Sequence, residues 1–343
     1  MRIAQISTFH SPVRQHGSGS IEALVWLLTR ELIELGHEVT VFAAAGSETD
    51  GELVTTLPGA YGENGSFDDW YLCDWVNLCE AVKASGRFDV LHSHAYLRGL
   101  PLQSFSRAPM VHTLHVCPFD DEARLWRMTP DACVTAISEY QWNAFPDLHP
   151  AAIIPHGIDA THFTPQWQPE DYVCFLGKFS ERKGALLAIE TAKQLNLRLL
   201  LAGPQDEDFA RIQPHLDGER IKYVGYVSGA ERERLLGGAR ALLYPIRSPE
   251  PFGLIQVEAM MCGTPVAAMR LGAVTEIIDE GVTGFAAGTE AEFAQQVLRC
   301  FALDRRRVRA QAEARFSARR MARDYAQVYQ AVCSGAQAVG KAL

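Results

Sequence analysis

Short apolar runs alternate with stretches of helical spacing along the whole chain. In the first half the runs are RIAQIS (2–7), HEVTVFAA (37–44), DVLHSHA (89–95), MVHTLH (110–115), ACVTAIS (132–138) and AAIIPHG (151–157). Each has the length and the β-branched content of a buried strand. Between the first two, IEALVWLLTRELIELG (21–36) spaces its apolar residues three and four apart and ends on a glycine, which predicts a helix closed by a left-handed cap. Strand, helix and strand repeated in this way predict a parallel sheet with crossover helices.

The pattern breaks at DATHFTPQWQPEDY (159–172), which is polar, carries two prolines and reads as an interdomain linker. It then restarts with YVCFLGK (172–178), RLLLAG (198–203), IKYVGYV (221–227), ALLYPI (241–246) and TPVAAM (264–269). Two doubly wound α/β domains are expected, with ligands at the carboxyl ends of the strands and in a cleft between the domains. A length of 343 residues agrees, because it exceeds what one hydrophobic core usually spans. The expected division is 1–165, 166–316 and a terminal helical segment, 317–343, that packs back on the first domain.

Composition narrows the picture. With 48% hydrophobic and 21% charged residues the chain is globular. No signal-peptide run or membrane span is legible, so a cytoplasmic protein is expected. The eight cysteines are scattered singly without metal-ligand spacing and read as reduced core residues, with no structural metal expected. The net charge of −9 divides unevenly. Residues 1–165 carry 9 Lys and Arg against 20 Asp and Glu, a balance of −11, while residues 166–343 carry 23 against 21, a balance of +2. An acidic first half argues against nucleic acid and against anionic membrane as its partners.

Candidate chemistry concentrates in the second half. In ALLYPIRSPEPFGLIQVEAMMCGTPV (241–266), a strand leads through a loop into a helix that begins near Phe252 or Gly253. The amides of Phe252, Gly253 and Leu254 would lie unpaired at a helix N-terminus, which suits phosphate. Glu250 and Glu258 flank that end and would accept hydrogen bonds from sugar or ribose hydroxyls. The bland alternative makes Glu250 a partner of the helix dipole and Glu258 a solvated surface group. GKFSERKG (177–184) follows the first strand of the same domain and places Lys178, Arg182 and Lys183 at the ligand edge, although it also fits a basic turn. A glycine-bearing turn, HGSGSIE (16–22), leads from the first strand into the first helix.

Together these segments resemble the nucleotide-sugar glycosyltransferases of family 4, whose signature is two glutamates separated by seven residues, matched by Glu250 and Glu258. Further matches are HTLH, ISEYQ, PHGID, FLGKFSERKG, YVGYV and LGAVTEIIDEGVTGF. The resemblance implies the GT-B fold, two facing Rossmann-like domains with parallel sheets and an interdomain cleft, acceptor-binding first and donor-binding second. It implies that Glu250 contacts the transferred sugar, Glu258 the ribose, and the amides of Phe252, Gly253 and Leu254 the sugar and the distal phosphate. Lys183 would hold the diphosphate with Lys178, a position where the family more often carries arginine. The family's paired glycines appear as Gly19 and Ser20. Tyr226 and Val227 occupy the neighbourhood where the base stacks, and His115 matches a histidine lining the site near the sugar. His92, His94 and His112 are left as structural or acceptor-side groups, and His156 as a shaper of the domain junction.

The implied reaction is a retaining, metal-independent transfer of a hexosyl group, from a UDP-sugar first of all, to an acceptor hydroxyl, with no cofactor beyond the co-substrate. An epimerase or hydrolase on the same architecture is the competing enzyme, and a non-catalytic nucleotide-sugar-binding module the competing class. The acceptor, a small molecule or glycan, is not legible. The acidic first half points to a neutral or cationic one and does not favour membrane association, and nothing sets the oligomeric state. Two stretches rich in acids and aromatics, 58–75 and 117–127, suit polyol recognition and equally suit ordinary loops.

Overall fold

A computed structural model describes residues 1–15, 19–63, 65–206 and 208–335. The chain divides into two compact units, Met1–Gly157 together with the segment from Ala318 onward, and Ile158–Ser317.

The first unit is built on β1 (Arg2–Ile6), β2 (Glu38–Ala43), β3 (Glu52–Thr55), β4 (Val90–Ser93), β5 (Met110–Thr113), β6 (Cys133–Ala136) and β7 (Ala152–Ile153). Among the described residues these form one sheet in the order β3-β2-β1-β4-β5-β6-β7, and every pairing is parallel. Helices α1 (Ser20–Glu34), α2 (Trp70–Lys83) and α3 (Asp120–Arg127) lie between the strands. Helix α1 stops where expected: Gly36 takes φ 85°, the left-handed conformation a helix end favours.

The second unit carries β8 (Val173–Leu176), α4 (Ala185–Gln194), β9 (Leu199–Ala202), α5 (Phe209–Ile212), β10 (Ile221–Tyr223) and α6 (Gly229–Gly238). There follow β11 (Leu242–Tyr244), α7 (Leu254–Met261), β12 (Val266–Met269), α8 (Val274–Ile277), β13 (Gly284–Ala287), α9 (Glu290–Cys300) and α10 (Arg305–Phe316). Its parallel sheet has the order β10-β9-β8-β11-β12-β13. The chain then returns to the first unit as α11 (Ala318–Cys333). Two Rossmann-like parallel sheets, the fold expected from the alternation, are therefore present. Two strands escape the apolar pattern: β3 is an edge strand with no buried residue, and β13 is four residues of mostly small side chains.

Two faces of the first sheet differ. Ile3, Val39, Val41, Val90 and Val111 pack with α1 and with Met321, Tyr325 and Tyr329 of α11. Ala4, Ile6, Phe42, Leu91 and Met110 pack with Leu78, Ala81 and Val82 of α2. This is the alternation of a strand buried on both sides. No helix among the described residues is long and apolar enough to cross a membrane.

The segment 159–172, which the sequence presents as a linker, belongs to the second unit, so the division falls at Gly157–Ile158 and not at residue 165. Its polar backbone is satisfied by partners far along the chain. Thr164 N donates to Glu233 at 2.7 Å, and Arg305 Nε donates to the Gln166 carbonyl at 2.7 Å. Arg305 is itself buried and donates further to the Ala239 and Gly237 carbonyls and to Thr264 Oγ1. Burial lowers its pKa to about 10, still far above neutrality, so it folds as a cation satisfied by carbonyl oxygens.

Candidate functional site

Strand order reverses in the second unit between β8 and β11, the place where open α/β sheets bind their ligands. That topology brings together residues far apart in sequence. The loop after β8 supplies Lys183, in the turn Glu181–Lys183, and the loop after β11 supplies Glu250. Lys183 Nζ forms an ion pair with Glu250 Oε1, and Tyr244, the last residue of β11, donates its hydroxyl hydrogen to Glu250 Oε2. Tyr244 is buried and the neighbouring carboxylate raises its pKa further, so the phenol stays a donor.

Backbone contacts tie the loop after β11 to the loops after β8 and β12. Arg247 N donates to the Arg182 carbonyl at 2.8 Å, and Ala273 N donates to the Glu250 carbonyl at 2.9 Å. Gly184, at φ 72°, leaves no room for a Cβ because the Pro245 carbonyl lies against it. Gly272 is pressed in the same way on the backbone of Glu250.

Helix α7 starts at Leu254, with Gly253 as its N-cap at φ 93°. The amides of Gly253 and Leu254 precede the first intrahelical bond, so the positive end of the helix lies two residues beyond Pro251. Phe252, whose amide was grouped with these, is a buried anchor whose ring meets Phe316 edge-on at 6.0 Å. Glu258 sits one turn along on the same helix, buried, and is not the solvated group of the bland reading. Its carboxylate pairs with Arg232 of α6, and burial pushes its pKa upward.

Other expected residues are placed less tightly. Lys178 is exposed just beyond β8 and has no ion pair among the described residues. Tyr226 is 69% exposed and Val227 half-buried, on the loop after β10. Sequence reasoning missed Tyr244, which read as one more apolar strand position in ALLYPI, and Arg232, which sits in the basic and acidic run AERERLL where nothing marks it from its neighbours.

In the first unit the strand order reverses between β1 and β4. Of HGSGSIE, residues 16–18 lie outside the described residues. Gly19 is the N-cap of α1, and a Cβ there would strike Ser11 and the buried carboxylate of Glu22. Ser20 is exposed at the first helical position. Glu22 accepts from Thr8 Oγ1 at 2.8 Å and from Ser11 N at 3.2 Å, which ties the loop after β1 to the helix.

His115 lies two residues beyond β5 and is buried. His94 Nδ1 is 3.0 Å from His115 Nε2, and the ring of His156 stacks on His115 at 5.4 Å. Burial lowers the pKa of His115 to about 3 and that of His112 to about 4, and holds His92, His94 and His156 well below the ordinary value. All five are neutral at pH 7. His92 bonds Tyr329 and Thr113 inside the sheet–helix layer, a structural placement, whereas His112 faces Gly99 on the other side of the sheet.

Comparison with known proteins bears on both units. Residues 21–162 match the family model "Glycosyltransferase Family 4" and residues 170–302 the model "Glycosyl transferases group 1". A D-inositol 3-phosphate glycosyltransferase of Mycobacterium sp. (strain JLS) is 28% identical over 82% of this chain and 78% of its own length. Among solved structures, AviGT4, a glycosyltransferase involved in avilamycin A biosynthesis, aligns with a TM-score of 0.74 at 24% identity, covering 98% of this chain and 99% of that one. HepE of Anabaena in complex with UDP and glucose aligns with a TM-score of 0.71 at 19% identity, covering 96% and 100%.

Proposed function

The chain belongs to the family 4 glycosyltransferases with the GT-B fold, and from that premise we propose that it moves a hexosyl group from a UDP-sugar to an acceptor hydroxyl, with retention of configuration and without a metal. The observation that carries the reading is the convergence of Lys183, Tyr244 and Glu250 beside the N-terminus of α7, at the strand-order reversal of the second unit.

Departure of the diphosphate builds negative charge on its oxygens, and the site answers with fixed positive groups. Lys183 and Lys178 supply cations, and the Gly253 and Leu254 amides supply donors that need no reorganisation. Glu250 would accept hydrogen bonds from the sugar hydroxyls, held in place by Tyr244. Glu258 would take the ribose diol, which requires Arg232 to give up its carboxylate. Tyr226, already exposed, would stack on the base, with Val227 beside it. Gly19 and Ser20 would bring backbone amides of the first unit to the phosphate, and His115 would meet the sugar. The acceptor hydroxyl would attack on the face the diphosphate leaves, with a phosphate oxygen taking its proton.

The deciding experiment is a thermal-shift screen against UDP-, GDP-, ADP- and TDP-sugars, followed by NMR of the product's anomeric centre. A UDP-sugar at about 100 times its Kd stabilises the folded state by about 2.7 kcal/mol. Glu250→Ala should keep that shift and lose on the order of 100-fold or more in turnover. No shift with any nucleotide sugar, or an inverted product, would refute the proposal.

A further inference from the structure

His115 does not stand alone. Behind it runs a continuous hydrogen-bonded chain across one face of the first sheet and into α11. His115 Nε2 meets His94 Nδ1 at 3.0 Å, and His94 Nε2 meets Gln5 Oε1 at 2.7 Å. Gln5 Nε2 donates to Tyr329 Oη at 3.1 Å, Tyr329 Oη meets His92 Nδ1 at 2.7 Å, and His92 Nε2 meets Thr113 Oγ1 at 2.7 Å. Thr113 Oγ1 ends the chain on Thr135 at 2.8 Å and Tyr325 at 3.0 Å. Gln5, His92, His94, Thr113, Thr135, Tyr325 and Tyr329 are all fully buried.

Such a chain has a polarity. The carbonyl oxygen of Gln5 can only accept, so His94 carries its proton on Nε2. Its Nδ1 is then a lone pair and must receive a proton from His115 Nε2. His115 Nδ1 is left as a lone pair, and that atom is buried without a hydrogen-bond partner among the described residues. The opposite polarity would turn the same atom into a buried, unpaired N–H, the costlier of the two orphans. Tyr329 agrees with the first polarity: it accepts from the Gln5 amide and gives its own proton to His92, whose Nε2–H passes to Thr113.

We propose that Gln5, acting through His94, is a positioning residue that fixes His115 in the Nε2–H tautomer, so that Nδ1 presents a lone pair to a hydroxyl of the transferred sugar. Burial of the rings keeps protonation from scrambling the order at neutral pH. The choice of hydroxyl as ligand rests on the sugar transfer proposed above; the tautomer does not.

Two measurements test it. Long-range ¹H–¹⁵N correlation on protein labelled at histidine, assigned with His115→Gln and His94→Gln, should show at pH 7 a pyrrole-like Nε2 and a pyridine-like Nδ1 for both His94 and His115. A protonated Nδ1 on His115 overturns the proposal in the wild-type protein, whatever becomes of any variant. Gln5→Leu removes the acceptor and should mix the tautomers of His115, while Gln5→Glu keeps an acceptor and should preserve them. An unchanged His115 signature in folded Gln5→Leu removes Gln5 from the role. In turnover of the donor found by the screen, Gln5→Leu should lose about tenfold or more in kcat with donor KM within about threefold, and Gln5→Glu should recover most of the loss. Wild-type rates in Gln5→Leu refute the positioning role. Absence of turnover with any nucleotide sugar would refute the sugar transfer and leave the spectroscopic result to decide the tautomer.

Discussion

Replacing Tyr244 by Phe keeps a buried ring in place and removes only the hydroxyl that donates to Glu250. A hydrogen bond to a charged acceptor contributes about 1.5 to 3 kcal/mol, so a carboxylate that must be oriented for a ligand should feel its loss. Tyr244→Phe is expected to lower kcat by roughly 10- to 100-fold and to cost at most about 3 kcal/mol of stability, so that the protein stays folded; steady-state kinetics paired with urea unfolding measures both. An unimpaired kcat would mean that Lys183 alone orients Glu250. Neither Tyr244 nor Arg232 was legible as a site residue. Each owes its place to a tertiary neighbour, Glu250 in one case and Glu258 in the other, and its own sequence surroundings are those of an ordinary strand and an ordinary surface helix. Glu250, Glu258 and Lys183 stood out as candidates because the paired glutamates and the basic turn after a strand resemble a family signature, and a signature is a sequence property.

At the scale of elements, the loop from β8 to α4 depends on one left-handed residue. Gly184 caps α4 at φ 72° with the Pro245 carbonyl filling the space a side chain would need. Gly184→Ala should therefore cost more than the roughly 1 to 2 kcal/mol of a left-handed alanine, and it should weaken nucleotide-sugar binding by displacing the adjacent Lys183. Chemical denaturation together with donor titration checks both. Helix α11 shows the same dependence over a longer range. Met321, Ala322, Tyr325 and Tyr329 are buried against the first sheet, and Arg320 Nη2 donates to the Pro155 carbonyl at 2.7 Å. Fully burying a large side chain contributes about 1.5 to 3 kcal/mol, so the helix holds a large share of the 5 to 15 kcal/mol by which domains are typically stable. A chain ending at residue 317 should lose cooperative unfolding of the first unit and bind the dye ANS; a sharp unfolding transition of the first unit without ANS binding would contradict this. The amphipathic pattern of 317–332 marks the helix in the sequence, but what it covers is a matter of tertiary packing.

For the molecule as a whole, the buried histidines set a direction of acid sensitivity. His92, His94, His112, His115 and His156 all have folded pKa values below the ordinary 6.5 because burial penalises the imidazolium. The unfolded chain therefore binds more protons once the pH drops below about 6.5, so stability is complete above that value and is lost as the pH falls toward the folded values. At pH 5 His112 and His115 each contribute a loss of roughly 2 kcal/mol, and His92, His94 and His156 act in the same direction. Asp74 acts oppositely. Burial raises it to about 6 despite its ion pair with Arg98, so its contribution is present at low pH and disappears as the pH rises through about 6. One carboxyl, worth about 1 kcal/mol between pH 6 and 5, does not offset five imidazoles. The urea midpoint of the first unit should fall steeply between pH 7.5 and 5; a midpoint that holds or rises would show that the rings are protonated in the folded state.

The amino-acid sequence by itself determined the alternation of strands and helices, and with it two parallel sheets, because the period of apolar positions and the glycine at a helix end are local facts. It also marked the loop–helix unit holding Glu250 and Glu258, since both carboxylates and the helix N-terminus lie within one short segment. Tertiary structure alone decided which groups meet. Strand order put the loops after β8 and β11 side by side and so joined Lys183 to Glu250, 67 residues apart. It threaded 159–172 into the second unit, where its polar backbone found distant partners. It also returned α11 to the first sheet, where Tyr329 connects Gln5 with His92. Hydrogen-bond polarity along such a chain is a property of atoms brought together by folding, and no spacing in the sequence encodes it.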